Sequence, residues 1–198
     1  MRKLIIFILP SLLIFHTALK AYSSDPTTFI FELVNDAIIK LSDKSLSKED
    51  KSKFIEEVAL ENVDISALGL YTLGELRKST SKENIIKYQS VFEKYFLKTL
   101  TSRLTDYSSG KFEILNAEQK SSNYTIVKSK ISPNNGDLEI KIDWRIYTKN
   151  PEKPLIRDLI VEGLSLARTQ KEEFASILNS NDNDINVLIS KLNEFVSK

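Results

Sequence analysis

The chain has 198 residues with 28 basic and 27 acidic side chains, one histidine (His16) and no cysteine. The lack of cysteine excludes disulfides, thiolate metal sites, thiol nucleophiles and the acylated N-terminal cysteine of a lipoprotein. Balanced charge leaves no basic surplus for neutralising phosphates, which argues against a nucleic-acid binder.

The N-terminus reads as an export address. Arg2 and Lys3 form a charged start, Leu4 to Leu19 is mostly apolar, and Ala21-Tyr22-Ser23 supplies small residues for cleavage. This is the anatomy of a secretory signal peptide, assigned to residues 1–23 with cleavage after Ser23 or after Ala21. The apolar run of roughly 16 residues is short of the ~20 needed to span a bilayer. No later segment is apolar enough to do so, so residues 24–198 are expected to form a single soluble domain in the periplasm or another extracytoplasmic compartment. Cleavage removes Arg2, Lys3 and Lys20 but no acid, leaving a mature net charge of about −2.

The next segments read as helices. Asp25 caps and Pro26 opens a first one, with Phe29, Leu33, Ala37 and Leu41 at helical spacing to about Ser42. Ser47-Lys48-Glu49-Asp50 resembles a capping box and starts a second that ends near Asn62. Asp64 caps a short third with Ile65, Leu68, Leu73 and Leu76. Ser81 or Thr80 opens the longest, from Lys82 to Tyr107. Its broad face of Ile85, Tyr88, Phe92, Tyr95, Phe96, Thr99 and Leu100 is more aromatic than a small core needs.

After Gly110 the hydrophobic period changes from helical to alternating. Leu138, Ile140, Ile142, Trp144 and Ile146 alternate with charged residues in the clearest strand, which follows an Asn-Gly turn at Asn135-Gly136. Ser122 to Ile131 and Lys111 to Asn116 are the strands before it. A fourth strand runs from about Leu155 to Leu164, where Gly163 allows a turn into two short amphipathic helices. This order predicts an α+β fold: N-terminal helices packed on a curved antiparallel sheet of about four strands, then two C-terminal helices.

No catalytic constellation emerges. His16 leaves with the leader, so the mature chain lacks both histidine and cysteine. That removes the usual general base, the soft metal ligands and any Ser–His–Asp triad. Ser108 to Lys111 lacks the glycine spacing of a phosphate loop, and Asn181 to Asp184 lacks the spacing of a calcium loop. The expectation is a non-enzyme without catalytic residues, metal or cofactor. Its surplus apolar surface suits a binding module, since acyl chains gain about 0.8 kcal/mol per buried CH₂. The same residues filling a packed core describe an exported interaction or chaperone module.

The run Asp158, Val161-Glu162-Gly163, Ser165-Leu166, Arg168 and Phe174, with its closing Leu-Ile-x-x-Leu helix, resembles the C-terminal signature of the MlaC family. Val63-Asp64-Ile65, Leu73-Gly74 and the helix bearing Phe92 and Leu100 are similar to earlier family segments. Departures occur at Arg77, where the family commonly has Trp, and at Pro154-Leu155-Ile156-Arg157-Asp158, where it typically has Trp-Lys-Ile-Tyr-Asp. Thr169-Gln170-Lys171 replaces a common Asn-Tyr-Arg. The resemblance implies a monomeric periplasmic phospholipid carrier whose helices and sheet enclose an apolar cavity that holds lipid by its tails. Its implied partners are an inner-membrane ABC transporter complex and an outer-membrane lipoprotein–porin complex. Tyr88, Phe92, Tyr95 and Phe96 are expected to line one wall of the pocket. Ile140, Ile142, Trp144 and Ile146, backed by Leu159 and Val161, are expected to line the other. Arg157, Arg168 and Lys171 are candidates for partner or headgroup contact.

Overall fold

A computed structural model describes residues 21–105, 110–133 and 138–198. Four helices come first: α1 (Pro26–Ser42), α2 (Lys48–Asn62), α3 (Ile65–Thr72) and α4 (Lys82–Leu104), with a 3-10 turn at Gly74–Lys78 between the last two. Strands β1 (Gly110–Ser121), β2 (Tyr124–Pro133), β3 (Ile140–Tyr147), β4 (Leu155–Val161) and β5 (Leu164–Ser165) follow, then α5 (Leu166–Asn179) and α6 (Ile185–Ser197). The five strands form one antiparallel sheet in sequence order. The expected α+β architecture is present.

Local chemistry places the helix starts. Asp25 accepts from the Thr28 amide at 2.8 Å with Pro26 in the first turn. Ser47 and Asp50 bond each other's backbone amides in a complete capping box. Asp64, Ser81, Ser165 and Asp184 cap the remaining four helices. Each satisfies amides that would otherwise lack an intrahelical partner.

One face of the sheet packs on α1. Phe29, Ile30, Leu33 and Val34 meet Phe112, Val127, Trp144, Ile146 and Ile156 in a buried cluster. Trp144 brings a polar atom into it, and the Nε1–H donates to Ser129 Oγ at 2.9 Å. Ser129 in turn donates to the Ile142 carbonyl at 3.0 Å, so the buried pair is satisfied.

The other face meets a layer built from α3, α4, α5 and α6. Tyr88, Val91 and Phe92 pack there on Phe174, Leu178, Leu188 and Leu192. Tyr88 Oη donates to Thr72 Oγ1 at 2.7 Å, which donates onward to the Gly69 carbonyl at 2.7 Å. At Gly69 the α3 backbone touches α4: a Cβ there would lie 2.9 Å from Phe92 Cδ1. Val63 packs against both clusters.

Strand β4 differs in detail from its expected form. It stops at Val161, and Glu162 (φ 49°) and Gly163 (φ 83°) make a two-residue turn. Positive φ at both central residues is the hairpin geometry that matches strand twist. Leu164 then pairs back onto Val161 as β5, so Gly163 serves a hairpin and Ser165 begins the helix. The first strand also runs longer than its sequence pattern, because register shifts near Leu115 and Lys120 absorb the breaks in alternation, while β2 keeps ten residues but starts two positions later than expected. The leader through residue 20, the helix end at Tyr107 and the Asn135-Gly136 turn lie outside the described residues.

Two outcomes test this packing. Gly69→Val should destabilise the fold by about 1–3 kcal/mol in urea denaturation, because Phe92 has no room to retreat. Burial pushes the Tyr88 phenol well above its ordinary value of 10.0. Its raised folded-state value makes a contribution that is complete below pH ~10 and drains away as pH rises beyond it. Tyr88→Phe should therefore cost about 1 kcal/mol at pH 8 and flatten the alkaline loss of stability; an unchanged alkaline slope would contradict the assignment.

Candidate functional site

A cleft of about 320 Å³ opens between the helical layer and the sheet face turned away from α1. That is at the small end of the range for ligand pockets. Helix α3 supplies Ala67, Leu68, Leu70 and Tyr71, α5 adds Ala167, and β2 adds Tyr124. The 3-10 turn contributes Arg77, β3 Arg145, and β4 both Arg157 and Asp158.

Two consecutive β4 residues reach one cleft because the β3–β4 register shifts between Arg145 and Ile146. Asp158 pairs with Arg145, whereas Ile156 pairs with Ile146, leaving Arg157 as the extra residue. Such an insertion breaks strict alternation. Ile156 and Leu159 consequently share the α1 face, three residues apart, while Arg157 and Asp158 both line the cleft.

Each of these charged residues holds one helix. Asp158 is buried. Its Oδ1 accepts from the Ala167 amide at 3.0 Å, and its Oδ2 accepts from Ser165 Oγ at 2.7 Å and from Arg145 at 3.3 Å. The carboxylate thus sits on the first amides of α5, where negative charge is favoured. Arg157 donates from Nε to Asp64 Oδ2 at 2.8 Å, and its Nη2 lies 2.7 Å from the same oxygen. Asp64 is the N-cap of α3, and its own amide donates to the Ile156 carbonyl at 2.9 Å. The Arg157 guanidinium also lies 3.4 Å above the Tyr147 ring centroid, and Tyr147 meets Tyr124 edge-on at 5.9 Å.

The residues singled out from sequence fall into three groups. Ile140, Ile142, Trp144 and Ile146 on β3 share the α1 face with Leu159 and Val161 on β4, through the pairs Ile142–Val161 and Trp144–Leu159. Trp144 and Ile146 are core; Ile142, Leu159 and Val161 are half-buried, and Ile140 is 38% exposed. Tyr88, Phe92, Tyr95 and Phe96 belong to the helical layer. There Phe92 meets Phe174 edge-on at 6.3 Å, and Tyr95 donates to Gln170 Oε1 at 3.0 Å. The structure gathers each set but does not join the two. Of the basic residues, Arg157 lines the cleft, Lys171 stands 5.2 Å from the Tyr71 ring centroid, and Arg168 is exposed on α5.

Leu68, Leu70, Tyr71, Arg77, Tyr124 and Arg145 were not singled out as site residues. Tyr124 and Arg145 come to the cleft only through strand register, which alternation within one strand does not reveal.

The sequence matches the family model described as MlaC protein over residues 32–194. The fold superposes with a TM-score of 0.70 on a phospholipid-binding protein from Ralstonia solanacearum, solved in complex with a phospholipid. The two share 17% identity over 85% of this chain and 97% of that one. No curated protein matches the sequence.

The Asp158 arrangement predicts an asymmetric pair of mutants. Asp158→Ala should destabilise the protein by about 2–4 kcal/mol in urea denaturation, since it strips a buried acceptor from three donors. Arg145→Ala removes a partly exposed partner and should cost less than about 1 kcal/mol. Equal losses would contradict a structural role for the carboxylate.

Proposed function

The chain belongs to the MlaC family, and on that premise we propose that it is a periplasmic carrier of phospholipid. The observation that carries this reading is the cleft, which combines apolar walls on α3 and Tyr124 with guanidinium groups from three elements. A phospholipid needs both: a dry surface for its tails and a positive field for its phosphate. The mature chain has no histidine or cysteine, and the described residues include no acidic, histidine or cysteine cluster able to hold a metal ion. Binding and release, rather than bond chemistry, fit that inventory.

A two-chain lipid is larger than the cleft, so loading requires α3 to move outward. Leu68 both lines the cleft and packs on the helical cluster. Its displacement connects the cleft to Tyr88, Phe92, Tyr95 and Phe96, and on this reading those side chains receive the tails. The strip of Ile140, Ile142, Leu159 and Val161 lies on the opposite, α1-facing side of the sheet and on this reading does not receive the tails. Residues 1–23 serve export and are removed, leaving residues 24–198 as one carrier domain. Among the described residues no helix is long and apolar enough to cross a membrane. Lipid then passes between an inner-membrane ABC transporter complex and an outer-membrane lipoprotein–porin complex by relative affinity, without nucleotide bound to this chain.

Native mass spectrometry of protein recovered gently from the periplasm should show one bound phospholipid per chain. Leu68→Asp should lower that occupancy at least about tenfold, because a charge then faces the tails. Protein that is lipid-free and also fails to extract lipid from liposomes would favour the packed interaction module instead.

A further inference from the structure

The cleft is unevenly charged. Its lining holds three guanidinium groups, Arg77, Arg145 and Arg157, against the single carboxylate of Asp158. Two of the three are committed: Arg157 to Asp64 at 2.7 Å and Arg145 to Asp158 at 3.3 Å. Asp158 is further occupied by Ser165 and the Ala167 amide.

Arg77 is differently placed. It is exposed, its hydrogen bond to the Leu70 carbonyl is long at 3.5 Å, and no described carboxylate forms an ion pair with it. The neighbouring acid, Glu75, is paired with Lys78 at 2.6 Å and interacts with Arg77 and Lys171 only at longer range. Lys171 adds a further positive charge beside Tyr71. The fold brings Arg77 and Arg157 to one cleft.

A guanidinium presents paired donors that match a phosphate diester, and an uncommitted one at a cleft mouth is free to make that match. A zwitterionic headgroup brings its own ammonium into the field of the remaining arginines, whereas a net-negative headgroup does not. We infer that the cleft selects phospholipids whose headgroup carries net negative charge, with Arg77 contacting the phosphate and Arg145, Arg157 and Lys171 supplying the field. This inference rests on the phospholipid-carrier reading above.

The test is lipid loading from vesicles of equal phosphatidylglycerol and phosphatidylcholine, with bound lipid extracted and identified by mass spectrometry. Wild-type protein should enrich phosphatidylglycerol about tenfold, the ratio that about 1.4 kcal/mol of repulsion between the choline cation and the cleft's guanidinium groups gives. Arg77→Gln should lower the ratio severalfold toward parity, chiefly through loss of bound phosphatidylglycerol; Arg77→Lys should keep part of the preference. Millimolar inorganic phosphate should leave the wild-type ratio in place. Parity in the wild type, an undiminished preference in Arg77→Gln, or loss of the preference to phosphate alone would each overturn the inference while leaving lipid carriage standing. Failure of the wild type to take either lipid would remove the carrier reading and this inference together.

Discussion

The extra residue in strand β4 is the constraint from which the rest of the molecule follows. It turns two neighbouring side chains, Arg157 and Asp158, to the same side of the sheet, and each grips the start of a helix. Asp64 and Asp158 lie at the N-termini of α3 and α5, where a carboxylate meets both free amides and a favourable dipole. The helical layer is therefore attached to the sheet by directional, charged contacts rather than by a shared apolar interface. Two separate clusters result, bridged at Val63.

That mode of attachment leaves room for function. A packed interface excludes ligand, while a pair of polar ties at helix N-termini holds the layers together without filling the space between them. Helix α3 is tied at its first residue by Asp64 and held further along by the close fit of Gly69 on Phe92. Its outward side chains, Leu68, Leu70 and Tyr71, form the cleft wall.

The parts legible in the sequence are those governed by local chemistry. Caps at Asp25, Ser47 and Asp64 mark their helices, Ser81 is the one of its two candidates that caps α4, and the alternation around Trp144 marks the β3 face that packs on α1. Asp158, Gly163 and Ser165 stood out as a signature, and the structure gives each a reason: a helix tie, a hairpin turn and a cap. What was not legible is non-local. Alternation alone sets Ile156 and Leu159 on opposite faces, and only the β3–β4 register reveals that an inserted residue puts them on one. The aromatic stripe of α4 was evident, but its partners on α5 and α6 depend on how the helices fold back. Arg157 was singled out for its charge, and register explains why it meets Arg145 and Tyr124 at the same cleft.

The central claim is that lipid enters between α3 and the Arg145–Asp158 face of the sheet, not over the Ile140–Val161 strip. A phospholipid with a spin label midway along one acyl chain tests this directly through the amide signals it broadens in the loaded protein. Strong broadening at Leu68, Leu70, Tyr71 and Tyr124, with little at Ile140, Ile142 and Val161, is the predicted result. The reverse pattern, with α3 sharp and the Ile140–Val161 strip broadened, would contradict the account.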